Sequence, residues 1–124
     1  MVDLIYKEEA FEIIGVCMEV HRILGKGLLE IVYKDALEYE FKKRGIPYER
    51  EKEYPVKYKD VILPHSFNAD FVVRDEIILE VKSKSVFVNA DMAQTINYLR
   101  LSKLKLGLLI NFGTTSLEYK RVVL

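Results

Sequence analysis

The stretch FNADFVVRDEIILEVK, residues 67–82, decides how this chain is read. Phe67–Val73 and Ile77–Lys82 are both rich in β-branched and aromatic residues, and Arg74-Asp75-Glu76 forms a short polar break between them. Two β-prone runs around such a break predict an antiparallel hairpin. If its turn centres on Asp75, residues equidistant from Asp75 face one another, so Asp70 lies opposite Glu80. Directly opposed residues of an antiparallel pair project to the same side, with Cβ atoms about 5 Å apart. Glu80 and Lys82 are two apart on one strand and also share a face. The hairpin therefore gathers two acids and an amine into one cluster.

Two adjacent carboxylates repel, and a single ammonium offsets this only in part. A hard divalent cation with oxygen ligands resolves the repulsion, and the Val81 carbonyl offers a further oxygen. Such an ion polarises a phosphodiester and lowers the pKa of a coordinated water. Lys82 would orient that water or stabilise the developing charge. A surface ion pair on an edge hairpin would give the same spacing, and the pattern of residues alone leaves both readings open.

Upstream, Ala10, Phe11, Ile14, Cys17, Met18, His21 and Leu24 recur with helical period, which predicts a helix over residues 8–24. A second helix is expected over 28–44, burying Leu29, Val32, Ala36, Leu37 and Phe41. Lys42, Lys43 and Arg44 suit its carboxyl end, and Gly45 suits its cap. Tyr54, Val56 and Tyr58 alternate with charged residues as a half-exposed strand, and Lys59-Asp60 reads as a turn before a strand from Val61. Downstream, Asp91 is expected to cap a helix over 92–102, with Met92, Ile96 and Leu99 facing inward. Leu106–Phe112 reads as an interior strand with both faces apolar, and 118–124 as a weaker final strand. The order predicts an α/β protein with a mixed sheet and helices packed on it.

The 124 residues favour one domain, 1–124, without repeat or linker. Half of them are hydrophobic and 31% charged, with 19 basic and 19 acidic side chains and a net charge of zero. That balance excludes a protein that coats nucleic acid through bulk charge. A local basic rim remains available from Lys82, Lys84, Arg100, Lys103 and Lys105. Cys17 is the only cysteine, so neither an internal disulfide nor a thiolate cluster is expected. The amino-terminal stretch lacks the basic and apolar segments of a secretory leader, and no apolar run approaches the ~20 residues of a membrane span. A cytoplasmic protein without a membrane partner is the expectation. His21 and Cys17 read as packing residues, His65 as a loop residue, and Tyr33 and Tyr98 as packing residues with polar tips.

An ordered set of motifs runs along nearly the whole chain: Gly27-Leu28-Leu29-Glu30-Ile31-Val32-Tyr33, then Ala69-Asp70-Phe71-Val72-Val73, Ile78-Leu79-Glu80-Val81-Lys82, Gln94-Thr95-Ile96-Asn97-Tyr98-Leu99 and Leu106–Phe112. In these residues and their order the chain resembles the GxxExxY family of the PD-(D/E)xK nuclease-like superfamily. The resemblance implies a restriction-endonuclease-like αβββαβ core flanked by helices. It also implies a nuclease that hydrolyses phosphodiester bonds of DNA or RNA with Mg2+ or Mn2+. By the same resemblance Asp70 and Glu80 are metal ligands, Lys82 is the catalytic lysine, Glu30 an additional acid brought to the metal, and Gln94 the polar residue that completes the site. Ala69 stands where the superfamily's nominal pair has proline, and Asn68 where relatives often carry a basic residue. The alternative is a non-catalytic module of the same fold that binds nucleic acid or protein. A domain this small has little surface for gripping a duplex, so a homodimer with two sites is a further expectation.

Overall fold

A computed structural model describes residues 4–87 and 89–124; the first three residues of the amino-terminal stretch read above for a leader lie outside them. The described elements are α1 (Lys7–Leu24), α2 (Glu30–Arg44), β1 (Tyr48–Tyr58), β2 (Val61–Val73), β3 (Ile77–Lys82), α3 (Asn89–Ser102), β4 (Leu106–Asn111) and β5 (Glu118–Val123). The strands form one sheet in the order β1-β2-β3-β4-β5. All neighbours are antiparallel except β3 and β4, which are parallel and joined through α3. The expected αβββαβ core is therefore present, with α1 added before it and β5 after it.

The central hairpin has the register that its turn predicts. Phe71 pairs with Leu79, Val72 with Ile78 and Val73 with Ile77, each pair equidistant from Asp75. Arg74 and Asp75 both sit at φ 57, the mirror-image turn sense that matches the twist of flanking strands. Alternation along these strands builds two cores. Phe71, Val73, Ile77, Leu79 and Val81 pack with Ile13, Val16, Cys17, Tyr33, Leu37 and Phe41 under α1 and α2. Val72, Ile78 and Leu109 pack with Tyr98 and Leu99 under α3. β4 is buried along its whole length, as its two apolar faces predict.

The helices differ from the sequence reading in which stripe faces inward. α1 buries Ala10, Ile13, Val16, Cys17 and Val20, whereas Phe11 is 80% and Met18 46% exposed. The helix carries two offset apolar stripes, and the one with the smaller side chains lies against the sheet. α2 begins at Glu30 rather than Leu28 and buries Tyr33, while Leu29 is 74% and Val32 37% exposed. α3 is described from Asn89, so Asp91 lies buried within its first turn rather than ahead of it. Lys84 holds the Asp91 carboxylate at 2.9 and 3.0 Å, a pairing that accounts for an acid in the interior. His65 lies within β2, which runs unbroken from Val61 through Pro64. The predicted cap at Gly45 is present: it is left-handed at φ 68, and its N–H and that of Ile46 reach the carbonyls of Lys42 and Phe41.

Candidate functional site

The β2–β3 ladder stops at Phe71 and Leu79, one step short of the two acids. Beyond it, side chains replace main-chain pairing. The Asp70 N–H donates to Glu80 Oε2 at 2.8 Å, and the Val81 N–H donates to Asp70 Oδ2, also at 2.8 Å. Each acid thus occupies a main-chain donor on the opposite strand, and the two carboxylates are fixed in the gap between the strands. Glu80 is 2% exposed and Asp70 half-buried. Burial, and then the Asp70 charge, push the Glu80 carboxyl up to about 8.

Lys82 follows Glu80 on the α3 side of the sheet, and its Nζ donates to Gln94 Oε1 at 2.9 Å. Tyr98, one turn beyond Gln94, packs edge-on against Phe67. Its phenol is pushed up to about 12, by burial and then by the charges of Glu80, Asp70 and Glu51, so it stays protonated beside the acids.

Sequence reasoning missed two residues here. Lys34 of α2 donates to Asp70 Oδ1 at 3.0 Å and also to Glu51 of β1. Burial opposes its charge, but the bonds from Glu51 and Asp70 outweigh that and hold the ammonium above the ordinary lysine range. Glu51 lies between Arg50, paired with Phe71, and Lys52, paired with Ala69, which sets it level with Asp70. It adopts φ 54, unusual for a residue with a side chain. Nothing local separates Glu51 from Glu49 or Glu53, which alternate with it along the same charged strand. Lys34 had one signal, its place a single turn after Glu30 on α2.

Glu30 opens α2 and is exposed; its carboxylate makes no hydrogen bond or ion pair among the described residues. The preceding turn touches the end of β3, where the Ser83 hydroxyl donates to the Leu28 carbonyl. Tyr33 is buried and ties this turn together, donating to the Gly25 carbonyl at 2.6 Å, accepting from the Leu28 N–H at 3.0 Å and stacking on Phe112 at 4.3 Å. Gly27 sits in it at φ 86, a conformation that favours glycine. The Gly27 and Tyr33 ends of the GxxExxY pattern thus shape the entry to α2.

Among the described residues, no three His, Cys, Asp or Glu side chains converge as a metal cluster. The structure brings Asp70 and Glu80 together, places Lys82 and Gln94 beside them, and leaves Glu30 apart. Two carboxylates are nevertheless within the ordinary ligand count for Mg2+, which keeps several waters. Two carboxylates fixed side by side in the strand gap, with the hard oxygen donors that such an ion prefers, form a donor set that fits a hard divalent cation. In an extended strand a residue's N–H and C=O emerge on the same edge, so the Val81 carbonyl faces the gap that its N–H faces.

The surrounding basic residues divide. Lys105 precedes Leu106, which pairs with Ile77 at the start of β3, whereas Lys82 pairs with Asn111 at the other end. Arg100, Lys103 and Lys105 line a pocket with Val123 at that far end. They form no rim around the acids, because the parallel β3–β4 pairing sends the end of α3 to the opposite edge. Lys84 is nearer but held by Asp91. His21 hydrogen-bonds the Thr114 carbonyl at 2.9 Å, and Cys17 is buried in the core. No described helix is long and apolar enough to cross a membrane.

Comparison with known proteins agrees with this architecture. The crystal structure of SSO0001 matches it with a TM-score of 0.60 and 18% identity, covering 95% of this chain and 59% of that one. At that identity the likeness speaks for the fold, a restriction-endonuclease-like mixed sheet flanked by helices. The chain spans a little under three fifths of that structure's length. No curated protein matches by sequence. A family model described as the PD-(D/E)XK nuclease superfamily matches residues 7–122, from the first residue of α1 into β5. With the match extending over nearly all of the chain and its acids and lysine lying on the central hairpin, the protein belongs to the PD-(D/E)XK nuclease superfamily.

Proposed function

We propose that this chain, acting as one domain over residues 1–124, is a nuclease of the GxxExxY kind that hydrolyses phosphodiester bonds of DNA or RNA with Mg2+ or Mn2+. The observation that carries the reading is the crossed bonding of Asp70 and Glu80 in the strand gap, with Lys82 next along β3. Asp70, Glu80 and the Val81 carbonyl would hold the ion, and Glu30 would lend an outer acid from α2. When bound, the ion supplies Lewis acidity at the phosphoryl group and makes water more acidic. Lys82 orients the attacking water or stabilises charge on the phosphoryl oxygens, and Gln94 holds Lys82 for that role. Burial of Glu80 keeps bulk water from this side of the centre. The protein works in the cytoplasm as a homodimer, two sites compensating for the small surface of each domain.

The test is a nuclease assay with Mg2+ or Mn2+, comparing the wild type with Asp70→Ala and Lys82→Ala, with circular dichroism to verify folding. Each substitution is expected to lower activity by about 10²–10⁴-fold. Equal activity in all three proteins would remove the proposal. One observation favours a second reading, a binding module without catalysis: the Lys34 ammonium already lies on Asp70, where it serves as a built-in cation. Calorimetry that detects no Mg2+ or Mn2+ binding would select that reading.

A further inference from the structure

α1 carries a second stripe that the fold does not use. Glu8, Phe11, Gly15, Met18 and Arg22 follow the alternating three- and four-residue spacing of a helix–helix seam, and all five are exposed. At the centre of this 18-residue helix stands Gly15, among the poorest helix formers. Packing among the described residues gives no reason for it, since beyond its own stretch of helix backbone a Cβ placed on Gly15 would meet none of their atoms within 4 Å. A glycine facing open space and flanked on its own face by an exposed phenylalanine and methionine suits close approach by a second helix. Leu4 and Tyr119 extend this apolar face into a groove beside the helix.

The charges identify the second helix. Glu8 lies seven residues before Gly15 and Arg22 seven after it. Two copies of α1 crossing antiparallel about a two-fold axis at Gly15 set each Glu8 against the other copy's Arg22 and bring each Phe11 within one residue's rise of the other's Met18. A parallel arrangement would set Glu8 against Glu8 and Arg22 against Arg22, so charge selects the antiparallel one. Among the described residues Arg22 pairs with Glu19 of its own helix, at 3.2 Å with its side chain 72% exposed, so it can turn outward.

We propose that α1 is a self-association surface through which two copies of this chain pair antiparallel at Gly15. The interface is isologous, each copy contributing the same stripe. One crossed helix pair falls in the size range of weak complexes, below about 1,200 Å² of total buried surface, so pairing depends on concentration. The surface lies outside the candidate site and does not rest on the nuclease reading.

Sedimentation of the full chain from micromolar to near-millimolar concentration provides the test. The wild type is expected to move from 14.5 kDa towards twice that mass. Gly15→Gln points into open space in the lone chain, so it should melt no lower than wild type at high dilution while weakening association about 30-fold or more. Glu8→Arg and Arg22→Glu should each weaken association roughly tenfold, and the double exchange should restore it. A wild type that stays monomeric throughout would overturn the proposal. So would a dimer that ignores Gly15→Gln, as pairing along the β5 edge would, or a double exchange that fails to restore what each single one removes.

Discussion

Asp70 and Glu80 are bound to each other's strands: the N–H of Asp70 lies on the Glu80 carboxylate, while the Asp70 carboxylate holds the N–H of Val81, next to Glu80. This arrangement closes the strand gap and buries Glu80, and burial, followed by the Asp70 charge, makes Glu80 hold its proton up to about 8. Between about pH 4.5 and 8, the unfolded chain has lost that proton while the folded chain retains it. The unfolded state therefore binds fewer protons in this window, and the Glu80 contribution to stability falls as pH rises through it.

Glu80→Gln keeps an acceptor for the Asp70 N–H and removes the titration. Without divalent ions, its stability relative to wild type should climb as pH rises from about 4.5 to 8 and level off above. The change should be on the order of a few kcal/mol, read from urea melts across that range. A stability difference independent of pH would show that Glu80 titrates as an ordinary acid.

Lys34 is the internal counterion of the site, set between Asp70 and Glu51 with its side chain only 11% exposed. Lys34→Met leaves both acids without their cation and should destabilise the metal-free protein by about 1–3 kcal/mol. The same substitution removes a competitor for Asp70, so Mg2+ should bind about tenfold more tightly by calorimetry. Weaker binding would instead make Lys34 a support that holds Asp70 in place.

The central hairpin was legible because its signals agree: strand propensity, a short polar turn and an equidistant register all place Asp70 against Glu80. Lys82 was legible from its two-residue spacing to Glu80, whereas Gln94 was named only from the family resemblance; the Lys82 Nζ donates to Gln94 Oε1 at 2.9 Å. Lys34 and Glu51 were not legible, because their meeting depends on how α2 sits over β1 and β2, which no local pattern encodes. The inward face of α1 was misread for a related reason. Phe11 and Met18 look like core by hydrophobicity, yet Ala10, Ile13, Val16 and Val20 lie against the sheet. Asp91 looked like a cap because acids favour helix starts, and only the fold brings Lys84 to it inside the helix.

The segment after Lys82 is held by a second set of bonds, which Gly113 makes possible. Asn111 accepts from the N–H groups of Lys84 and Gly113 and donates to the Lys84 carbonyl. A Cβ on Gly113 would lie 2.2 Å from the Lys84 carbonyl oxygen and 2.3 Å from its nitrogen. Because the obstacle is backbone, Gly113→Ala should cost towards the upper end of about 1–3 kcal/mol. Thermal melting checks this, and an unchanged midpoint would mean that the β3–α3 connection yields freely.

Gln94 tests whether Lys82 must be held as well as present. A lysine has a long flexible stem and many rotamers, so an acceptor at 2.9 Å restricts where its ammonium stands. Gln94→Ala should lower kcat about 10–100-fold, the usual effect of removing a supporting partner, while KM and the melting midpoint stay near wild type. Gln94→Glu offers an oxygen to the same ammonium and should retain more activity than Gln94→Ala. If the two variants are equally impaired, the amide serves through its NH2 group, towards substrate or solvent, and Lys82 is positioned by something else.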